Sequence, residues 1–303
     1  MKKILVLATL FVLVSAFGVF ATPNETVDSI LTLTGNIPTS TIFFAVAGEP
    51  DTGSIELEPN ATTLVSCWGT AEDLDGLSDL NTLSSVIYAD GISRFADNNE
   101  SNHYTNNSCF TDWPTSGDWN CTFNVQYYAD PSDWTCAVNI TNQDLQYYND
   151  TINTTSTVED LIALEVHNKT VNFGLVAVDI EYPADTEVVV YNTGNVVLNL
   201  SLDAANSSVA FDLDDPTSFN CTIGDVPVEN LRFSLTQGTA WNVAVPMVEV
   251  GTTAAQNFNL APQVGGNSMG NLPVFDSTWW SIMVPSGIAG TCTGQIMFIG
   301  QTS

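Results

Sequence analysis

Basic residues are what this chain of 303 has least of: five Lys and Arg stand against 34 Asp and Glu, for a formal net charge of -29. A surface so poor in cations cannot neutralise a phosphate backbone, which excludes nucleic acid as a partner. Histidine is scarcer still, with His103 in the polar stretch Asn102-His103-Tyr104 and His167 just ahead of Asn168-Lys169-Thr170. Neither neighbourhood holds a nucleophile elbow, so a serine triad lacks its parts. Zinc would need His or free Cys at ligand spacing, and the six cysteines are better explained as bridges. A glycosidase, needing two carboxylates, is the one enzyme class the composition permits. No apolar run after residue 21 reaches the ~18 residues of a spanning helix, and helical spacing is hard to find anywhere.

What is present is 44% apolar content with 10% aromatics, enough to bury two cores. Charged residues total only 13%, so the acidity comes from missing cations. A saline and an acidic habitat both remain open as its explanation.

Lys2 and Lys3 precede an almost wholly apolar run from Ile4 to Phe20, and Val19 and Ala21 are small residues at the positions a signal peptidase reads. The pattern predicts a signal peptide over residues 1–21, cleaved after Ala21. A membrane anchor is the alternative, but the run is short for one and turns polar at once at Thr22, Pro23 and Asn24. The mature chain is read as secreted or held at a cell surface by contacts, with no transmembrane segment. Twelve of the 28 asparagines open Asn-X-Ser/Thr sequons: Asn24, Asn60, Asn99, Asn106, Asn120, Asn139, Asn149, Asn153, Asn168, Asn199, Asn206 and Asn220. Chance predicts roughly five at this Ser and Thr content, so the excess points to N-glycosylation. An even number of cysteines in an exported chain points to three disulfides.

Strand periodicity dominates, because a half-buried strand must place every second side chain inside. Cys121, Phe123, Val125 and Tyr127 alternate with Thr122, Asn124 and Gln126, and Trp134, Cys136, Val138 and Ile140 alternate with Thr135, Ala137, Asn139 and Thr141. Leu198, Leu200 and Leu202, then Cys292, Gly294, Ile296 and Phe298, repeat the pattern. Cysteine and sequon asparagine take opposite faces throughout. Turn signals such as Asp75-Gly76, Asp130-Pro131 and Pro285-Ser286-Gly287 recur between these runs. The fold class is all-β. Residues 22–40 form an N-terminal extended segment, 41–160 a first module and 161–303 a second, with no low-complexity linker between them, which predicts a stiff joint. The segment Ser29 to Ala47 supplies the first module's own edge strand or inserts into a neighbour's sheet.

Asp130-Pro131-Ser132-Asp133-Trp134-Thr135-Cys136 resembles strand F of immunoglobulin-like domains, and Leu64-Val65-Ser66-Cys67-Trp68 resembles strand B. The resemblance implies two tandem Ig-like antiparallel β-sandwiches and a Cys67–Cys136 bridge between sheets. Trp134 stands where Tyr is usual, removing the hydroxyl that makes that family's corner hydrogen bond. Cys109 would then pair with Cys121 and Cys221 with Cys292, one of fifteen possible pairings. In the second module, Tyr191-Asn192-Thr193-Gly194-Asn195 before a Leu-rich strand and Val284-Pro285-Ser286-Gly287 before the last strand are similar to Ig-like modules of secreted archaeal surface proteins. That likeness covers roughly residues 30 to 300 and implies fold and surface context, without catalytic residues.

Two clusters are candidate sites. Asp73, Asp75 and Asp79 place hard oxygens in a glycine-bent loop, which suits calcium, although an EF-hand would need a further carboxylate and a terminal Glu. The plainer reading is a solvated Asp-Gly turn. Phe110, Trp113 and Trp119, flanked by Asp112 and Asp118, could stack on sugars or pack beneath their loop as a satellite core. The sequence thus predicts a non-enzymatic exported glycoprotein, a structural or assembly component of a cell envelope or extracellular filament. Its partners would be other copies or other envelope proteins, possible glycans included, with no cofactor unless calcium binds. An adhesin or carbohydrate-binding module is the alternative, and a glycoside hydrolase the third.

Overall fold

Alternating strands have one apolar face to bury, and with no helical segment read in the sequence that face packs against another sheet: the chain forms four sheets in two pairs. The computed structural model describes residues 36–302 apart from 48–52, 114, 144–146, 151–153, 207–214, 250 and 266–272. The signal sequence, most of the extended segment, Asn24 and Asn153 lie outside the described residues, and of Asn149 only the backbone is described. Both sheet pairs belong to one compact unit, Asn36–Ser303.

In the first pair, one sheet has the order Thr39–Ser40, Thr62–Glu72, Asp118–Gln126, Phe110–Thr111, with Phe43–Val46 also on Thr62–Glu72. The facing sheet runs Ser54–Ile55, Thr155–Val158, Asp133–Asn142, Leu80–Ala89, His103–Asn106, with Tyr147–Asp150 also on Asp133–Asn142. These are the A-B-E-D and G-F-C-C′ orders of an immunoglobulin-like sandwich. The first strand supplies both sheets in turn: Phe43–Val46 pairs antiparallel with residues 65–68, then Ser54–Ile55 crosses over to run parallel to Thr157 and Val158. The chain therefore fills its own edge from residue 39 onward.

The second pair begins at Leu164–Val166. One sheet has the order Leu164–Val166, Thr186–Asn192, Phe275–Ile282, Leu231–Ser234, Val245–Pro246, and the other Asp225–Pro227, Thr217–Ile223, Ala289–Gln301, Asn199–Asn206, Thr253–Ala254. The last strand divides its length between two partners, residues 294–301 lying against Asn199–Asn206 and residues 289–293 against Thr217–Ile223. Helix among the described residues is confined to 3-10 turns such as Leu77–Asp79 and Val228–Asn230.

The first core gathers Phe44, Val65, Ile87, Trp119, Phe123, Trp134, Val138 and Ile140. The second gathers Val190, Leu198, Leu200, Leu202, Phe233, Phe258 and Trp280. Trp134 keeps the family's corner bond despite lacking a hydroxyl: its indole Nε1 donates to the Asp130 carbonyl at 2.9 Å, four residues upstream. An N–H has replaced the tyrosine O–H, because either donor reaches back across that tight turn.

Candidate functional site

Each sandwich is stapled. Cys67 is bonded to Cys136, Cys109 to Cys121 and Cys221 to Cys292, and among the described residues no cysteine is free. Cys67 and Cys136 sit at the centres of facing strands and are wholly buried. Cys221 and Cys292 are directly opposed residues on neighbouring strands.

The joint between the sandwiches is built by the Asn192–Asn195 turn. Asn195, buried, accepts from Leu161 N on Oδ1 at 2.6 Å and donates through Nδ2 to the carbonyls of Ala129 at 3.1 Å and Glu159 at 2.9 Å. One side chain of the second sandwich thus satisfies backbone groups in the first and in the connection. Gly194 is required for this approach, since a Cβ there would lie 2.0 Å from the Leu161 carbonyl oxygen. Asn192 locks the turn from within, donating to the carbonyls of Val196 and Leu260 and accepting from Gly194 N. Further links cross the joint among the described residues: Asn60 N to the Thr193 carbonyl at 3.3 Å, Asn60 Nδ2 to Glu165 Oε2 at 3.4 Å, and Gly265 N to Ser101 Oγ at 2.6 Å. Leu161 also packs against the first core. In the sequence Asn192 to Asn195 reads as a turn signal ahead of a Leu-rich strand, and its role as a joint is not visible there. The signal available was a run of four turn-formers that supplies two amides beside a glycine.

Asp73, Asp75 and Asp79 do converge, each offering a carboxylate oxygen within 4.8 Å of the others. Gly76, at φ 104, makes the bend that brings them round. Asp75 is engaged by Asn36, whose backbone N and Nδ2 donate to it at 2.6 and 3.0 Å, and Asp75 N donates to Asp73 Oδ1. Three carboxylates supply part of the six to eight oxygens calcium takes.

The three rings of the cystine loop do not form a common face. Trp119 points into the core and donates from Nε1 to Ser40 Oγ at 2.8 Å. Trp113 is half-buried against the same core, its Nε1 directed to the Gly117 carbonyl. Phe110 alone stands exposed. The parity of Trp119 with Cys121 and Phe123 already carried that information. Beside the loop, Asp118 is held below the usual carboxylate range by the Ser116 and Thr70 hydroxyls.

His103 is buried between Asn98 Oδ1 and the Arg94 carbonyl, 3.3 and 3.2 Å from its ring nitrogens, and stacks on Tyr88. His167 is exposed and meets Tyr191 edge-on. Glu56, Glu159 and Asp160 line a shallow groove of about 410 Å³ near the joint. All three are exposed, and Leu57 and Leu161 also line the groove. A second groove, about 820 Å³, has walls that include Leu164, Val166, Val171, Phe219, Ile296 and Phe298.

Of the described sequon asparagines, Asn60, Asn99, Asn120, Asn168 and Asn220 are exposed. Asn106, Asn139, Asn199 and Asn206 are half-buried, and the amides of Asn106 and Asn206 donate to the Thr122 carbonyl and Thr217 Oγ1.

No family model matches the chain, and no curated protein matches it. Solved structures with some likeness include a chaperone–tip adhesion subunit pre-assembly complex from archaic chaperone-usher Csu pili of Acinetobacter baumannii, at 9% identity and TM-score 0.35, covering 87% of this chain and all of that one. The C-terminal domain of the Streptococcus agalactiae AgI/II polypeptide BspA aligns at 8% identity and TM-score 0.24, covering 88% and 100%. At these scores the assignment of the fold rests on the strand orders above.

Proposed function

We propose that this chain is an exported, N-glycosylated, non-enzymatic structural or assembly component of a cell envelope or extracellular filament, in the surface context that the archaeal resemblance implies. The observation that carries this reading is the Asn195 joint: a buried amide making three hydrogen bonds across the connection holds two sandwiches as one body. A stiff pair of modules transmits position and force along its length, whereas a tethered binding module works through a loose linker. Three cystines support an oxidising compartment. Among the described residues no helix is long and apolar enough to cross a membrane, so attachment to the surface is assigned to contacts with other envelope proteins or other copies.

The test is production of the full chain in an exporting, glycosylating host, followed by non-reducing peptide mass spectrometry and electron microscopy of the exported material. The expected result is the leader removed, the three cystines intact and ordered assemblies, with removal of residues 22–40 reporting whether assembly uses that segment. Retention inside the cell with free thiols at Cys67 and Cys136 would contradict the proposal. Dispersed monomers that bind free glycans would replace it with the adhesin reading.

A further inference from the structure

The outer face of the first sheet carries a line of rings with a sequon in its middle. Phe43 lies opposite Trp68, Trp68 opposite Asn120, and Asn120 opposite Phe110, so the four residues form one row across four adjacent strands. Their direction follows from parity: Cys67 and Cys121, the chain neighbours of Trp68 and Asn120, are wholly buried, which turns Trp68 and Asn120 to the opposite face. Phe43 is 45% and Phe110 66% exposed, and Phe43 stacks on Trp68 with centroids 5.9 Å apart. An aromatic strip open to water is costly, and such a patch normally has a cover.

We propose that the cover is the chain's own glycan: the first sugar linked to Asn120 lies on the row formed by Phe43, Trp68 and Phe110. The inference rests on the exported-glycoprotein reading and names what one of its sugars does. Strands in a sheet lie about 4.8 Å apart, so Trp68 and Phe110 flank Asn120 with about 10 Å between them, room for one pyranose ring. The C–H face of a pyranose is apolar and weakly positive, and complements the negative face of an aromatic ring. A covalent link at the centre of the row makes the contact intramolecular, so even a weak stacking interaction is populated. Asn120 is exposed, and its side-chain amide has no hydrogen-bond partner among the described residues. Sequons elsewhere on strands lack such flanks: Asn139 lies opposite Ser84, Asn199 opposite Gln301, Asn206 opposite Gly294 and Asn220 opposite Thr293.

The experiment uses the full chain secreted from an N-glycosylating host, glycopeptide mapping, and residue-resolved oxidative footprinting of Trp68 and Phe110. Asn120→Gln and Thr122→Ala each remove the sequon by a different change, and Asn220→Gln removes a sugar elsewhere. The expected result is an occupied Asn120 and a several-fold rise in Trp68 and Phe110 oxidation in both sequon variants, with none in Asn220→Gln and all cystines retained. Other sequons occupied with Asn120 bare would overturn the proposal while leaving the glycoprotein reading intact. No sequon occupied would overturn both. Rings equally protected with and without the Asn120 sugar would assign the row to a second copy or another protein, and rings oxidised freely beneath an occupied Asn120 would show the sugar pointing away. Either result would overturn the proposal.

Discussion

In the first sandwich the Cys67–Cys136 bridge crosses the core from one sheet to the other, whereas in the second Cys221 and Cys292 are opposed partners on neighbouring strands, with Cys292 only half-buried. The place of an inter-sheet bridge in the second sandwich is taken by Trp280, tilted on Phe233 of its own sheet and meeting Phe298 of the facing one. The two cystines close loops of nearly equal length, 69 and 71 residues. Their effect on the unfolded chain is therefore the same, roughly 4 kcal/mol in the chain-entropy model. What differs is the folded state, where the first fills a core and the second pins a register.

Removing both partners in turn separates these roles. Cys67→Ala with Cys136→Ala should lower stability by more than the roughly 4 kcal/mol cross-link contribution, because it also opens a cavity between the sheets. Cys221→Ala with Cys292→Ala should stay near the cross-link contribution alone. Equal losses in urea titrations of the two variants would break the comparison. Next in size, Trp280→Ala and Trp119→Ala should each cost roughly 3–5 kcal/mol, as for any buried tryptophan. An unchanged midpoint for Trp119→Ala would return that ring to a binding role.

The smallest expected effect depends on pH and falls on the first sandwich. Burial pushes the Tyr127 phenol up to about 12, and burial first, then the Glu100 carboxylate, raises Tyr128. Burial also raises Tyr104, against a bond from the Gln126 amide. A folded state that keeps protons the unfolded chain releases near pH 10 has its full stability below that pH and loses it as pH climbs towards 12. Alkaline titration should therefore loosen the first sandwich before the second, read by amide exchange. Simultaneous loss of protection in both would contradict this ordering.

Parity made much of the fold legible. Cys121, Phe123 and Val125 went inward and Asn120, Thr122 and Asn124 outward because that strand has one wet face. The same rule failed on Asn199–Asn206, where Leu200 and Leu202 are buried but Ser201 and Asp203 are too. Both faces of that strand are covered, and the polar side chains hydrogen-bond locally, Ser201 to Gln301 and Asp203 to Ala204 N. On the last strand Ile296, Met297 and Phe298 are all half-buried, since they run beside the 820 Å³ groove. Register was invisible in advance. Nothing in the chain order says that Trp68, Asn120 and Phe110 share a row, or that Asn195 reaches the Ala129 carbonyl, because both depend on which strands become neighbours.

The central claim is that the two sandwiches move as one body, and residual dipolar couplings measured across both at once test it most directly. The structure predicts that a single alignment tensor fits all backbone couplings, and that Asn195→Ala, which leaves the carbonyls of Ala129 and Glu159 without this donor, splits it into two tensors of different magnitude. Two unequal tensors in the unaltered protein would contradict the account.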